Sequence, residues 1–468
     1  MSKTLSDQLV QIMVDAGIHH AYGVPGDAID LVLSSIHKRD DFEFYLTRHE
    51  EGAGFMASAY AKLTGKIGAV FACQGPGSAH LLEAMYDANN LVDVLQLAIQ
   101  TAKVNKGVAH VSIATDVLRK PAVKYNPNLA AYDLPYDITP KNESLQKAAE
   151  VLNKHKNITI LYGGGCLYAK NELLKVAKLL NAPIVHTVRS KDIIDNNNKH
   201  YAGGIGFKGS KNGCYYVKNC DALLVVGCSF AWKEFYPDNA PIVQIDKEPD
   251  RIGVRCNLEV GLLGDAALTL SKLAEKITQK TDASFLISSQ KAHTKAIEML
   301  DKESTVKNDT NIINSPVLTN VISKYLNEDA IVTVDAGTVS VWANNWLRLN
   351  GKQRLIGSTE LGTLGFGMPA AIGCQLAMPD KQVVALCGDG GFQMTMGDFS
   401  TAVKYNLPIT VIIYNNFAYH FIELEQMKEG VAQCYTKLNN PDYAKLAEAF
   451  GGVGFSVTNS SELDKTIK

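Results

Sequence analysis

An acid between two glycines, and a later pair of asparagines, stand where two apolar runs end. Asp389 follows KQVVALC between Gly388 and Gly390, and Asn415 and Asn416 close the run PITVIIY. A helix between the runs would let two parallel strands lie side by side, so that their carboxyl ends meet at the edge where open α/β sheets bind ligands. Carboxylate and amide oxygens suit Mg²⁺, which usually keeps substrate phosphates as further ligands. The spacing therefore predicts a site for a metal and a diphosphate, although GDG alone also fits a plain strand-to-helix turn.

The elements that must position these residues are short β-branched runs alternating with helical patterns along the whole chain. Such alternation is typical of parallel sheets covered by helices. Two stretches rich in proline or turn residues, 119–142 and 302–316, divide the chain. We therefore predict an α/β protein with three doubly wound parallel-sheet domains, at residues 1–118, 143–278 and 315–468.

The alternation fails at Asn90-Leu91, where the helical pattern 77–90 meets a second helical pattern, 91–107, with no strand or turn between them. The pattern SSELDKTIK at the end of the chain stops within a helix. We interpret both features as missing segments: an internal one in the first domain at 90/91, and one that truncates the third domain.

The composition restricts the class of protein. The net charge is −2, so no basic surface argues for nucleic acid. No apolar run reaches the ~18 residues of a membrane span, and the N-terminus lacks the features of a signal peptide. The nine cysteines form no CxxC pair, which indicates free, mostly buried thiols in a reducing cytoplasm. We predict a cytoplasmic protein and leave a peripheral association with a membrane open.

The stretch GDGGFQMTMGDFSTAVKYNLPITVIIYNN (388–416) resembles the diphosphate motif of thiamine-diphosphate enzymes of the pyruvate oxidase and acetolactate synthase superfamily. The resemblance implies that Asp389, the side-chain amide of Asn416 and the backbone carbonyl of Ala418 bind Mg²⁺. It also implies that this Mg²⁺ holds the cofactor's diphosphate.

The segment TRHEEGAGFMASAYAKLTGKIGA (47–69) resembles the glutamate helix of this family. The resemblance implies that the Glu50 carboxyl binds the cofactor's aminopyrimidine and favours its imino tautomer, which takes the C2 proton of the thiazolium. A solvated helix face is the alternative for Glu50, but the apolar run that follows favours a buried helix start. The segments 21–30 and 73–81 resemble the family's two early Gly-Pro loops.

Further segments resemble other parts of the thiamine diphosphate site. Leu364 matches the bulky residue beneath the thiazolium, while Phe421 and Glu425 match substrate-side positions and lie i, i+4 on one helix. That helical pairing also arises by chance on amphipathic helices. The remaining positions that the resemblance implies are Ala336, Gly337, Thr338, Gly362, Thr363, Gly390, Gly391 and Ala418.

Three segments of the middle domain, 200–210, 225–237 and 242–253, resemble the FAD-binding segments of pyruvate oxidases. Asp246, at the end of a strand, suits a ribose hydroxyl. A middle domain without flavin is the alternative, because the superfamily includes such members. The implied FAD positions are Gly204, Gly206, Gly227, Cys228, Ser229, Phe230 and Asp246.

The resemblance covers nearly the whole chain and implies flavin-dependent oxidative decarboxylation of pyruvate or a similar small 2-keto acid. Carbon dioxide leaves, hydroxyethyl-thiamine diphosphate passes two electrons to FAD, and the acetyl group leaves as acetyl phosphate or acetate. Oxygen or a quinone reoxidises the flavin. The family places its cofactor between the first domain of one subunit and the third domain of another, which implies a homodimer or homotetramer.

Two alternatives remain open at this stage. The first is an acetolactate synthase or another non-oxidative 2-keto acid decarboxylase, which would share Glu50, Asp389 and Asn416. The second is a non-catalytic scaffold with a residual cofactor fold, suggested by the broken first domain. An NAD-dependent enzyme is poorly supported, because no GxGxxG opens a helix with an acid about 20 residues later.

Overall fold

The computed structural model describes residues 4–26, 29–72, 91–105, 107–109, 111, 118–122, 137–305, 313–359 and 361–468. The predicted Gly-Pro loop at 73–81 and the irregular junction at Asn90 lie outside these residues. Within them, no helix is both long and apolar enough to cross a membrane.

The described strands and helices alternate along the chain, as the sequence predicts. The strands are β1 (His20–Gly23), β2 (Glu43–Leu46), β3 (Ala69–Phe71), β4 (Ile158–Tyr162), β5 (Ile184–His186), β6 (Tyr201–Gly204), β7 (Ala222–Val226), β8 (Ile242–Asp246), β9 (Val260–Leu263), β10 (Ile331–Val334), β11 (Arg354–Gly357), β12 (Val383–Gly388) and β13 (Ile409–Tyr414). The α-helices are α1 (Leu5–Asp15), α2 (Asp30–His37), α3 (Glu50–Thr64), α4 (Leu91–Asn105), α5 (Asn142–Lys154), α6 (Lys170–Leu180), α7 (Lys211–Lys218), α8 (Ala266–Ala274), α9 (Ser284–Glu303), α10 (Ser315–Tyr325), α11 (Thr338–Trp346), α12 (Gly367–Ala377), α13 (Asp389–Thr395), α14 (Phe399–Lys404), α15 (His420–Lys428), α16 (Tyr443–Ala449) and α17 (Leu463–Ile467).

The chain forms two compact units. The first contains Met1–Tyr136, Ile331–Ala336 and Thr363–Gly454. The second contains Asp137–Ala330, Gly337–Gly362 and Phe455–Lys468. The first unit thus combines most of the predicted first domain with much of the predicted third domain.

The second unit is built on a six-stranded sheet with the order β6-β5-β4-β7-β8-β9. Its strand pairs are parallel, and β4, β7 and β8 are buried along their whole length. Helices on both faces of a parallel sheet explain why these strands read as continuous apolar runs. The strand order reverses between β4 and β7, which is where an open sheet of this kind forms a ligand crevice.

The first unit contains two sets of parallel strands. β1 pairs with β2 and β3, while β12 pairs with β10 and β13. The α/β architecture with separate parallel sheets is therefore confirmed. Eight cysteines in the described part of the chain are free thiols, and among these only Cys434 is exposed.

The N-terminal helix α1 shows how local sequence starts an element. The Thr4 hydroxyl accepts a hydrogen bond from the Asp7 amide at 3.3 Å, while the Thr4 amide donates to the Asp7 carboxylate at 2.8 Å. This capping box satisfies two amides that the first helical turn cannot pair. Leu9 and Ile12 on the apolar side of the helix are buried in the core of the first unit.

Candidate active site

The edge of the sheet beyond β12 and β13 carries the predicted metal motif. The two strands are parallel neighbours with Gly388 opposite Tyr414, so the residues that follow each strand emerge side by side. Asp389 is the first residue of α13 and is only 3% exposed. A carboxylate this deeply buried must be hydrogen-bonded or bound to a cation.

The Asp389 carboxylate is held by backbone amides from both strand ends. Its Oδ1 accepts from the Gly390 amide at 2.9 Å, and its Oδ2 accepts from the amides of Asn416 at 3.2 Å and Phe417 at 2.7 Å. Phe417 adopts a left-handed conformation with φ of 58°, which a bulky residue rarely takes without a local reason. The turn after β13 thus directs two backbone amides at the Asp389 carboxylate.

Asn416 and Ala418 lie in the same turn. The Ala418 amide donates to Asn416 Oδ1 at 3.1 Å. Ala418 is buried and forms an isolated antiparallel β-bridge with Lys437. Asp389 and Asn416 carry a carboxylate and a side-chain amide, the kinds of oxygen donor that Mg²⁺ prefers, so their chemistry fits a metal held together with a diphosphate. Among the described residues no cluster of three or more His, Cys, Asp or Glu could hold a metal, so a cation here would depend on the single Asp389 carboxylate together with amide, carbonyl and phosphate oxygens.

Glu50 is the first residue of α3 and is partly buried. One of the hydrogen bonds just before this helix start goes to an acid that was not selected from the sequence. The Arg48 amide donates to Asp398 Oδ1 at 3.0 Å. A Cβ atom at Gly52 would stand 2.1 Å from Asp398 Oδ2, so only glycine lets the first turn of α3 approach this carboxylate. Asp398 therefore fixes the position from which Glu50 projects.

A pH-dependent stability difference is expected at Asp398. Burial raises the pKa of this carboxyl to about 6 from 3.8, and the nearby Arg48 and His49 offset only part of that rise. The folded protein then holds the proton more tightly than the unfolded chain, so stability falls as the pH rises from about 4 to about 6 and levels off above that. At about 1.4 kcal/mol per pKa unit, the charged form costs about 3 kcal/mol at neutral pH.

Replacing Asp398 by Asn removes the charge and keeps an oxygen for the Arg48 amide. We expect Asp398→Asn to gain stability over wild type as the pH rises from 4.5 to 8, measured by urea unfolding at each pH. Asp40→Asn, at an exposed position, serves as the control, because the difference between its free energy of unfolding and that of wild type should not change with pH. A difference between Asp398→Asn and wild type that does not change with pH would contradict a penalty on the buried charge.

The other predicted thiamine diphosphate positions are distributed over both units. Gly390 and Gly391 are buried in the first turn of α13, and Leu364 is half-buried in the loop before α12. Ala336 and Thr363 also belong to the first unit, whereas Gly337, Thr338 and Gly362 belong to the second.

The substrate-side pair, Phe421 and Glu425, lies on α15 as predicted, with Phe421 half-buried and Glu425 exposed. The buried acid of this helix is instead Glu423, which was not predicted. Its carboxylate accepts from the Thr436 hydroxyl at 2.9 Å and pairs with Lys437 at 2.8 Å. The hydrogen bond from Lys437 holds the pKa of this carboxyl well below its usual range.

In the second unit, the predicted FAD residues gather at the carboxyl edge of the six-stranded sheet. Gly227 follows β7 with φ of 54°, and a Cβ there would stand 2.7 Å from the Cα of Gly165, which follows β4. Two glycines thus let the loops after β4 and β7 pack backbone to backbone where the strand order reverses, which is the point at which open sheets of this kind bind ligands. Gly165 was not selected from the sequence, although the triplet GGG directly after a buried strand is a usable signal.

The remaining FAD positions lie around this crevice. A Cβ at Gly206 would stand 3.0 Å from the Phe230 ring, which brings the ends of β6 and β7 together. Asp246 is buried at the end of β8, and burial raises the pKa of its carboxyl. Gly204, Cys228 and Ser229 complete the predicted set. Close glycine backbones, an acid at a strand end and a neighbouring aromatic ring fit a dinucleotide such as FAD.

Comparison with known proteins follows the same division of the chain. Residues 3–113 match the family model for the N-terminal TPP binding domain of thiamine pyrophosphate enzymes. Residues 145–273 match the central domain, and residues 335–468 match the C-terminal TPP binding domain. Thiamine pyrophosphate (TPP) is another name for thiamine diphosphate.

Similar proteins include YdaP of Bacillus subtilis, named as a thiamine pyrophosphate-containing protein. It is 35% identical over 98% of this chain and 88% of its own length. The pyruvate oxidase of Lactiplantibacillus plantarum is 26% identical over 97% of this chain and 84% of its own length. The large subunit of acetolactate synthase isozyme 3 of Escherichia coli is 25% identical over 99% of this chain and 91% of its own length. The similarity to YdaP and the match to all three domains show that this chain belongs to the thiamine pyrophosphate enzyme family, as an enzyme dependent on thiamine diphosphate.

Proposed function

We propose that this chain is a flavin-dependent pyruvate oxidase, which decarboxylates pyruvate or a similar small 2-keto acid and passes two electrons through FAD to oxygen or a quinone. The observation that carries the flavin part is the close packing of the Gly165 and Gly227 loops where the strand order reverses, with Asp246 buried at the end of β8. The similarity to a pyruvate oxidase over nearly the whole chain also supports the proposed oxidase activity.

The roles proposed for the residues of the first unit follow from their chemistry. Asp389, Asn416 and the Ala418 carbonyl would hold Mg²⁺, and through it the diphosphate of the cofactor. Glu50 would hold a proton at the aminopyrimidine, and Leu364 would support the thiazolium from below. Bound thiamine diphosphate supplies the carbanion and the electron sink for decarboxylation, and bound FAD accepts two electrons.

The remaining proposed groups concern the substrate and the assembly. Phe421 and Glu425 would face the 2-keto acid from α15. Ala336, Gly337, Thr338, Gly362 and Thr363 would lie against the cofactor. The active assembly would be a homodimer or homotetramer.

Flavin reduction by substrate separates this proposal from its main alternative. We expect anaerobic pyruvate to bleach the flavin band near ~450 nm in the protein loaded with thiamine diphosphate, Mg²⁺ and FAD. Glu50→Gln is the matched control, because it should retain FAD in the other unit and yet show little bleaching. Oxygen or a quinone analogue, added afterwards, would identify the acceptor.

The alternative outcomes of this experiment are distinct. Release of CO₂ from pyruvate without bleaching would contradict the oxidase and support an acetolactate synthase or another non-oxidative decarboxylase. Neither bleaching nor CO₂, together with undetectable thiamine diphosphate binding, would support a non-catalytic scaffold.

A further inference from the structure

A third segment of the chain reaches the predicted metal motif from beyond the second strand. Asn440 lies 51 residues after Asp389, in the stretch between α15 and α16. Its Nδ2 donates to Asp389 Oδ2 at 2.7 Å and to Asn415 Oδ1 at 2.6 Å. One side-chain amide therefore links the residues that follow β12 and β13.

The orientation of the Asn440 amide is set by its other neighbours. Gln393, on α13, donates from Nε2 to Asn440 Oδ1 at 2.5 Å and to the Tyr443 hydroxyl at 2.9 Å. The Tyr443 hydroxyl donates in turn to the backbone carbonyl of Asp389 at 3.3 Å. Because Oδ1 of Asn440 is engaged as an acceptor, its NH₂ group is the one that faces the carboxylate.

The backbone that carries Asn440 is tied to the turn that carries the metal motif. The Leu438 amide donates to the Phe417 carbonyl and the Tyr419 amide to the Thr436 carbonyl, each at 2.8 Å. Glu423 on α15 binds both the Thr436 hydroxyl and the Lys437 ammonium. The segment is thus attached on both sides of Ala418 before it reaches Asn440.

Three donors meet at one oxygen of Asp389. Oδ2 accepts from the amides of Asn416 and Phe417 and from Asn440, whereas Oδ1 accepts from the Gly390 amide alone among the bonds described. The two backbone donors come from a single turn, so Asn440 is the contact that approaches the carboxylate from a separate segment. A carboxylate fixed from several directions loses little freedom when it binds a cation.

We propose that Asn440 is a positioning residue of the metal site, which orients the Asp389 carboxylate and the Asn415 side chain for cation binding. This inference rests on the proposed role of Asp389 as a metal ligand. Asn440 is outside the motif from 388 to 416 and is not itself assigned as a ligand. A signal in the sequence is the second asparagine pair, Asn439-Asn440, directly before Pro441.

The test is a Mg²⁺ titration of the full chain at fixed thiamine diphosphate, followed by tryptophan fluorescence or calorimetry. We expect Asn440→Ala to weaken Mg²⁺ binding by about 10- to 100-fold, the range usual for residues that orient metal ligands. Asn439→Ala, at the exposed neighbouring position, is the matched control and should bind Mg²⁺ like wild type. Gln393→Leu should weaken binding less, because it only frees the Asn440 amide to turn.

A purely structural role predicts a different pattern. If Asn440→Ala lowers the thermal midpoint without changing Mg²⁺ affinity, the inference is overturned.

Failure of this inference can be told apart from failure of the proposed function. If Asp389→Ala abolishes Mg²⁺ binding and Asn440→Ala leaves it unchanged, only the role of Asn440 is wrong. If Asp389→Ala itself leaves Mg²⁺ binding unchanged, the metal assignment is wrong, and the role of Asn440 is wrong with it.

Discussion

Asp389→Ala is expected to abolish Mg²⁺-dependent binding of thiamine diphosphate. Asp389 is the buried carboxylate at the paired ends of β12 and β13, and the substitution removes both of its oxygens. Loss of residues that only orient ligands already costs 10- to 100-fold in metal affinity, so loss of the ligand itself should cost at least about 100-fold. The measurement is the dissociation constant of thiamine diphosphate at saturating and at zero Mg²⁺, by calorimetry on the full chain.

Two further variants keep this result interpretable. Asp389→Ala also leaves the amides of Asn416 and Phe417 without their acceptor, at about 1–3 kcal/mol for each buried group, so local unfolding must be excluded. Asp389→Asn preserves the shape of the side chain while removing its charge, and it should lose most of the Mg²⁺ dependence as well. Asp380→Ala changes an exposed acid before the other end of β12 and should leave binding unchanged. Retained affinity in a folded Asp389→Ala protein would disprove the metal assignment.

The repeating architecture could be predicted because it is encoded locally. The runs of β-branched residues mark the strands, since buried parallel strands are apolar on both faces. The glutamate helix expected within 47–69 is α3, Glu50–Thr64, with His49 as its cap. The neighbouring position of β12 and β13 also follows from the sequence, because one intervening helix allows a right-handed crossover between parallel strands.

Local patterns were less reliable where packing decides the outcome. The sequence predicts one helix between the two apolar runs, but the structure has two: α13 begins at Asp389, and α14 follows after a short turn. The stretch VAHVSI (108–113) is one of the short β-branched runs from which strands are expected, yet its described residues 108, 109 and 111 are not in a strand. A run of β-branched residues favours the extended backbone locally, but a strand forms only where a second strand pairs with it.

The residues of the site that sequence reasoning missed are held by contacts between distant segments. Asp398 meets the Arg48 amide 350 residues away, and Asn440 meets Asp389 51 residues away. On α15 the predicted acid was Glu425, whereas Glu423 is the buried one, because its partners Thr436 and Lys437 come from the segment that folds back on the helix. Neither composition nor periodicity contains such pairings.

Glu50→Gln is expected to slow exchange of the C2 proton of bound thiamine diphosphate by about 10²- to 10⁴-fold, the usual contribution of a positioned acid–base group. The amide keeps the shape of the side chain but does not share a proton with the aminopyrimidine as a carboxyl does. Folding and thiamine diphosphate affinity should change little, because the described anchors of this helix start are Asp398 and the packing of Phe55 on Phe366, with ring centroids 5.3 Å apart. Exchange is measured by NMR after dilution of the loaded protein into D₂O.

The neighbouring acid makes the test specific. Glu51 follows Glu50 on α3 and is exposed, so Glu51→Gln changes the same charge in the same turn and should leave proton exchange unchanged. Equal exchange rates in wild type and Glu50→Gln would show that Glu50 only forms a solvated helix start. Slow exchange in Glu50→Gln but not in Glu51→Gln would mean that Glu50 is the carboxyl of this turn that acts on the cofactor. The first turn of α3, which packs against Asp398, would then hold Glu50 in place. In that case Asp398→Asn should preserve proton exchange while Gly52→Ala impairs it, because an added methyl group at Gly52 would collide with the Asp398 carboxylate and shift the helix start.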